Sequence, residues 1–360
     1  IPLWVADMDF ATAPFVTDAI RKRCENEVLG YTGKPDSYYN AIINWVKQRY
    51  DLIVTKEVIN FVPGIVPGIG MAMNCFTQKG DKVMIQPPVY HPFAWVTTRN
   101  ERTLVINPLR WENGMYRMDL DAFREQIKGC KLFILCNPHN PGGVVWTEAE
   151  LRAIADICYD EKVLVFSDEI HADLTLPPHT HRPFATVSEK ARMNSVTFMS
   201  PSKAFNMPGL SASHALIFNE DLRKRFRIYM DAGELDMGHV FAFLSVEAAY
   251  SHGTEWLDQC LAYIQGNIDF VDEFLKKHAP KIKAIRPEAS YLVWLDCREL
   301  ELSQKDLNEF FVDKAHLALN DGEMFGKEGI GFMRLNVASP RCIIEKAMKQ
   351  LADAYQLYIK

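Results

Sequence analysis

The sequence lacks several features that would settle its class at once. No stretch approaches the ~18 consecutive apolar residues of a membrane-spanning helix, and no basic-then-apolar leader is evident. The chain opens on Ile1 rather than Met, so further residues are expected ahead of it. Basic residues form no block: 40 Lys and Arg against 46 Asp and Glu leave a net charge of −6, which argues against nucleic acid as a partner. The eight cysteines show no C-x-x-C pair and no zinc spacing, so no metal is expected. Most lie in apolar stretches, such as Cys136 in Lys131-Leu-Phe-Ile-Leu-Cys136, and read as buried, reduced thiols of a cytoplasmic protein. Internal repeats and low-complexity segments are absent as well.

What is present is an ordinary globular composition, 48% hydrophobic and 24% charged over 360 residues, with room for about two domains. Short apolar runs at 58–62, 82–86, 102–106, 131–136, 162–167 and 195–199 read as strands. Helical patterns lie between several of them. Asp36 can cap a helix with apolar positions Tyr39, Ile42, Ile43 and Val46. Thr147 with Glu150 reads as a capping box opening a helix over 148–161. Strands apolar almost throughout suit a sheet covered on both faces, and the alternation gives an α/β fold with a mostly parallel sheet. After about residue 219 helices dominate (219–232, 238–251, 254–278, 303–315), with strands at 282–285, 291–296 and 332–337 and a last helix over 340–358. That pattern reads as a smaller α+β unit beginning near residue 256.

Four loops follow buried strands, where open α/β sheets bind ligands. Pro63-Gly-Ile-Val-Pro-Gly-Ile-Gly70 could offer backbone N–H groups to a phosphate at a helix N-terminus, or be a plain strand-to-helix turn. It is neither a G-x-G-x-x-G dinucleotide fingerprint nor a Walker loop. Asn137-Pro-His-Asn-Pro-Gly-Gly143 is stiffened by two Asn–Pro steps and would aim the Asn140 amide at a fixed point. In Ser167-Asp-Glu-Ile-His-Ala-Asp173, adjacent Asp168 and Glu169 point to opposite faces if extended, which disfavours a metal pair. One acid is expected to face the cleft and the other to be tied up structurally. In Ser200-Pro-Ser-Lys-Ala-Phe205, apolar neighbours could desolvate Lys203 and make it a nucleophile; taken alone, it reads as a surface lysine.

Taken in order, Asn137-Pro-x-Asn-Pro-Gly-Gly, Ser167-Asp-Glu, Ser200-x-Ser-Lys203 and Phe332-Met-Arg-Leu-Asn-Val-Ala338 resemble the active-site motifs of fold-type-I pyridoxal-phosphate (PLP) enzymes, the aspartate aminotransferase superfamily. The resemblance covers essentially the whole chain. It implies a large domain, 34–255, with a mostly parallel seven-stranded sheet, and a small α+β domain built from both chain ends, 1–33 and 256–360. It also implies that Lys203 holds PLP as a Schiff base and later acts as base on the substrate Cα. Asp168 would pair with the pyridinium nitrogen and Asn140 with the ring 3-oxygen, while Tyr90 stacks on the ring. Gly64, Ile65, Val66, Ser200 and, more weakly, Ser202 would hold the phosphate. Tyr31 would reach the neighbouring subunit's phosphate, which implies a homodimer with shared active sites and gives Tyr31 a catalytic place beside Lys203. Arg334 would clamp the carboxylate of an amino-acid substrate, with Ala6, Tyr90 and Asn140 also in contact.

Two positions depart from the common aminotransferase pattern. Ser211 stands where a phosphate-binding Arg is frequent, and His171 where a Tyr is; His171 is placed to touch the ring oxygen. With Leu3-Trp-Val-Ala-Asp-Met-Asp-Phe10, Gly30-Tyr-Thr-Gly-Lys-Pro-Asp-Ser-Tyr-Tyr39 and Gly331-Phe-Met-Arg-Leu-Asn-Val-Ala-Ser-Pro-Arg341, they are similar to the cystathionine β-lyase (C–S lyase, cystalysin-like) branch. The implied reaction is α,β-elimination from cystathionine, cysteine or related S-conjugates. Alternatives are an aminotransferase on the same fold, a lyase doubling as a regulatory binding partner and, from the α/β pattern alone, a nicotinamide dehydrogenase. The absent dinucleotide fingerprint argues against the last.

Overall fold

The strand-and-helix alternation folds into a seven-stranded sheet in the computed structural model, which describes residues 1–358. Its strands are β1 (Ile59–Val62), β2 (Lys82–Ile85), β3 (Thr103–Ile106), β6 (Cys130–Cys136), β7 (Leu164–Asp168), β8 (Ser195–Met199) and β9 (Ser213–Leu216). A separate hairpin is formed by β4 (Arg110–Glu112) and β5 (Met115–Arg117). The sheet order is β1-β9-β8-β7-β6-β2-β3, and β9 alone runs against its neighbours. Alternate side chains of β6 feed two cores. Phe133 and Leu135 join Leu151, Ile154 and Cys158 of the helix Glu148–Asp160, while Leu132, Ile134 and Cys136 join Ile69 and Met73 of the helix Ile65–Phe76. Covering on both faces is what lets these strands be apolar throughout. The Thr147–Glu150 capping box is present, with reciprocal bonds of 3.2 and 2.9 Å.

β9 has no counterpart in the strand expectations. Its Ser213-His-Ala-Leu216 carries no β-branched run, and it is a strand because its neighbours on both sides pair with it. The hairpin and the helices Pro14–Cys24, Pro92–Arg99 and Leu120–Gln126 were likewise not expected. The helix expected over 303–315 is α-helical only over Gln304–Glu309 and continues as a π-turn over Phe310–Lys314. Of the cysteines, Cys24 and Cys342 are exposed rather than buried; all eight are free thiols.

A second, antiparallel sheet joins β10 (Lys283–Ile285), β11 (Leu292–Asp296), β13 (Phe332–Asn336) and the two-residue β12 (Asn320–Asp321). The N-terminal segment is tied to this sheet: Leu3 N donates to Ala318 O, and Asn336 N donates to Leu3 O, each at 2.9 Å. Asn336 Nδ2 adds bonds to Val5 O and Asp7 O. The helix Pro14–Cys24, by contrast, packs on Val240–His252. Among the described residues, no helix is long and apolar enough to cross a membrane and no cluster could hold a metal ion.

Candidate active site

The carboxyl ends of β1, β6, β7 and β8 open onto one cavity of about 210 Å³. The loop after β1 supplies Gly64, whose φ of 146° suits a residue without Cβ, and then Ile65 and Val66 at the start of a 12-residue helix. First-turn N–H groups of a helix have no intrahelical acceptor. Gly68 does a different job. A Cβ there would meet Val62 Cγ2 at 2.9 Å and Phe198 Cε1 at 3.1 Å, so it lets this helix lie close on the sheet.

The loop after β6, in which Asn137–Pro138 and Asn140–Pro141 are cis, places Asn140 on the cavity wall. Asn140 Oδ1 accepts from Arg334 Nη1 at 3.1 Å, which leaves its Nδ2 as the available donor. At the end of β7 the two adjacent acids part company. Asp168 lines the cavity, and its Oδ1 accepts from Ile170 N at 3.1 Å. Burial, more than any other cause, lifts its pKa to about 7; Glu169 adds to the rise and Lys203 opposes it. Glu169 is tied up by Ser167 Oγ, His181 Nε2 and Phe184 N, each at 2.8 Å.

Lys203 lies in a tight turn after β8, closed by Phe205 N donating to Pro201 O and Met207 N to Ser202 O, each at 2.9 Å. Its Nζ donates to the Ala6 carbonyl of the N-terminal segment, and Tyr291 Oη donates to the same oxygen at 3.0 Å. Burial, then the Arg334 charge, lower the Lys203 pKa to about 8, while Asp7 and Asp168 pull it back up. An amine so placed loses its proton far more readily than an ordinary lysine and becomes mostly neutral above about pH 8, the form a nucleophile or base needs.

His171 is 3% exposed and lines the cavity; its Nδ1 is enclosed without a partner. Burial, with the Lys203 and Arg334 charges, pushes its pKa down to about 3, so the ring is neutral. Tyr90, with its pKa raised mainly by burial, and Ser202 also line the cavity. Ser200 does not: its hydroxyl donates to Ala212 O at 2.8 Å and accepts from Ser202 Oγ at 2.9 Å and from Ser202 N at 3.1 Å, so it supports Ser202 from beneath. Arg334 borders the cavity through Asn140. Tyr31 is not among the lining residues of its own chain and is 97% exposed.

Residues missed from sequence complete the wall. Ser211, itself in a left-handed conformation, lines the cavity together with Cys136, Pro208 and Ser213. Asn206 fastens the N-terminal segment with bonds to Met8 N, Met8 O and Phe10 O. A side-chain amide three residues past Lys203 was visible, but its distant partners were not.

This constellation has close parallels. The model of the class I and II aminotransferases matches residues 1–351. The chain belongs to that family. It is 38% identical to cystathionine beta-lyase PatB of Bacillus subtilis, with 98% of this chain and 92% of that protein aligned. Among solved structures, PLP-containing cystalysin from Treponema denticola is 34% identical at a TM-score of 0.97, covering 100% of this chain and 92% of the other. A PLP-bound protein of Clostridium difficile 630 with a provisional aminotransferase name is 41% identical at a TM-score of 0.96, covering 98% and 92%. This family carries the seven-stranded, mostly parallel fold described above.

Proposed function

We propose that this protein is a PLP-dependent carbon–sulfur β-lyase that eliminates a thiol from cystathionine, cysteine or related cysteine S-conjugates. The observation that carries the reading is the meeting, around one cavity, of a titratable amine, Lys203, and a buried carboxylate, Asp168, with the cation Arg334 at its border. The donor set fits the cofactor. Lys203 Nζ would hold its aldehyde carbon, Asp168 its ring nitrogen, and Asn140 Nδ2 with neutral His171 its ring oxygen. The first-turn N–H groups of Ile65 and Val66, with Gly64, Ser202 and Ser200 behind it, would take the phosphate, and Tyr90 would cover the ring. When bound, PLP supplies the electron-withdrawing ring that makes a substrate Cα–H acidic.

The chain's own residues account for the rest. Arg334 binds the α-carboxylate and so orients the Cα–H bond. Ala6, Tyr90 and Asn140 confine the substrate around it. Lys203, once displaced as the cofactor's anchor, accepts the Cα proton, for which a pKa near 8 is suited. The ionised Asp168 keeps the ring nitrogen protonated. The thiolate leaves Cβ, and water completes conversion of the remaining fragment to pyruvate and ammonia. Elimination rather than transamination is supported by kinship with a cystathionine β-lyase and cystalysin.

Three further parts belong to the proposal. One is a homodimer: exposed Tyr31, Val28 and Leu29 form an apolar strip that a second copy would cover, bringing Tyr31 towards its partner's phosphate site. Another is the division into 34–255 and 1–33 with 256–360, supported for the first residues by the attachment of Leu3 to the four-stranded sheet, while the helix Pro14–Cys24 packs on the larger part. The last is a cytoplasmic setting, consistent with eight free cysteines. The decisive assay supplies cystathionine or cysteine without a keto acid. Release of pyruvate and thiol is expected; turnover that appears only on adding a keto acid would establish an aminotransferase instead.

A further inference from the structure

Arg334 is 3% exposed, and among the described residues all its hydrogen-bond partners are neutral oxygens. Nη1 donates to Asn140 Oδ1 at 3.1 Å; Nη2 donates to Asn320 Oδ1 at 2.5 Å and to Trp4 O at 3.1 Å. The Phe325 ring lies 4.8 Å from the guanidinium carbon, and Nε is enclosed without a partner. Among the described residues no carboxylate pairs with this cation, and burial lowers its pKa to about 10. A buried charge without a counter-charge is costly. The cost is understandable if the charge is reserved for an anion that arrives with the substrate.

Asn320 has a particular place in this arrangement. It stands directly opposite Arg334 in the β12–β13 ladder and is itself 5% exposed. A guanidinium has only donors, so the amide must face it with its oxygen. Trp4 contributes a backbone carbonyl, which any residue would supply, and Asn140 faces the cavity. Asn320 is therefore the supporting position at which a carboxylate of the same shape would fit. An aspartate would form the stronger, charge-assisted pair, but it would spend the positive charge inside the protein. We propose that Asn320 is a positioning residue that fixes the Arg334 guanidinium without neutralising it, and that this neutrality sets the site's preference for anionic substrates. The proposal rests on reading Arg334 as the carboxylate clamp.

The test uses the PLP-loaded enzyme with a cysteine S-conjugate and with the same compound as its carboxamide. Asn320→Asp is expected to raise KM for the free acid about tenfold to a hundredfold, with a smaller change in kcat. The preference for acid over amide should fall by a similar factor, while the thermal midpoint holds or rises. Asn320→Ala, which leaves the charge free, should keep the preference within about threefold and lower the midpoint. A merely structural role would move preference and midpoint together. Wild-type KM and preference in Asn320→Asp would overturn the proposal, as would an equal loss of preference in Asn320→Ala. Arg334→Ala separates the two levels: if it leaves the preference intact, the clamp reading itself is wrong.

Discussion

The rim of the seven-stranded sheet and an inner strand of the four-stranded sheet each bring a buried cation to the site, in opposite surroundings. Lys203 lies in a loop turn with Asp168 and Asp7 near enough to act on its charge, and its pKa is brought to about 8. Arg334 lies within a strand, held by amide and backbone oxygens and stacked on Phe325. One cation can give up its proton near neutral pH; the other keeps its charge. A lysine on a flexible stem with nearby acids suits proton transfer, and a planar guanidinium in a rigid ladder suits recognition of a carboxylate. The cavity thus joins a titrating wall to a permanently charged one.

The largest effect should come from removing the titrating amine. Lys203→Ala is expected to lower turnover by about 10³-fold or more, since both the anchor and the base are lost. Borohydride should no longer attach the cofactor to the protein, and peptide mapping of the reduced enzyme checks this. Retention of label in Lys203→Ala would place the anchor elsewhere. If the two walls were interchangeable, Arg334→Lys would be nearly silent; a rise in KM with little change in kcat is expected instead.

Next in size is the partner of that amine. Asp168→Asn should weaken PLP binding about tenfold to a hundredfold, the worth of a charge-assisted hydrogen bond. Fold stability should respond in the opposite sense. The folded-state pKa of Asp168 is raised, so its neutral form is the one the apoenzyme favours, and stability is lost as pH rises through about 7. The asparagine variant removes that loss. At pH 8 the apo variant should melt at or above the wild type, and a lower midpoint would show that the buried carboxylate supports the fold.

The contrast between the walls also explains what was legible in the sequence. The loops after β6, β7 and β8 carry short contiguous motifs, and Asn140, Asp168 and Lys203 all reach one cavity. Asn320 sits in a two-residue strand with no local pattern, and its meaning comes from standing opposite Arg334, 14 positions on. β9 escaped for the same reason, because strand pairing rather than its own residues makes it a strand. Ser200 was legible as a site residue, but its placement beneath Ser202 depends on the Ala212 carbonyl. Tyr31 lies beside Met237 and His239 of its own chain, away from the cavity, so its proposed role depends on the proposed second chain.

The pH dependence of cofactor capture sharpens the titrating wall further. In the apoenzyme, Lys203 loses its proton as pH rises through about 8, and Asp168 becomes ionised through about 7. Both changes favour PLP: the amine must be neutral to attack the aldehyde, and the carboxylate must be charged to hold a protonated ring nitrogen. The capture rate should therefore climb from pH 6 to about 8 and level off above it. Stopped-flow absorbance of apoenzyme mixed with PLP checks this. A rate that is flat across this range would remove the titrating lysine from the argument.

The smallest functional effect is expected one residue from Asp168. Glu169 is as buried as its neighbour, but its oxygens are taken by Ser167 Oγ, His181 Nε2 and Phe184 N, all on the side away from the cavity. Glu169→Gln turns one of these acceptors into a donor, which is met only if the His181 ring moves its proton from Nε2 to the unpartnered Nδ1, and this should cost about 1–3 kcal/mol of stability. Turnover at saturating PLP, well below the melting transition, should stay within about threefold of wild type, because Glu169 does not line the cavity. Urea unfolding and steady-state assays on the same preparation separate the two quantities. A loss of turnover as deep as that of Asp168→Asn, with stability unchanged, would mean that Glu169 acts on the cofactor's charge rather than on the fold, and the division of labour between these adjacent acids would have to be redrawn.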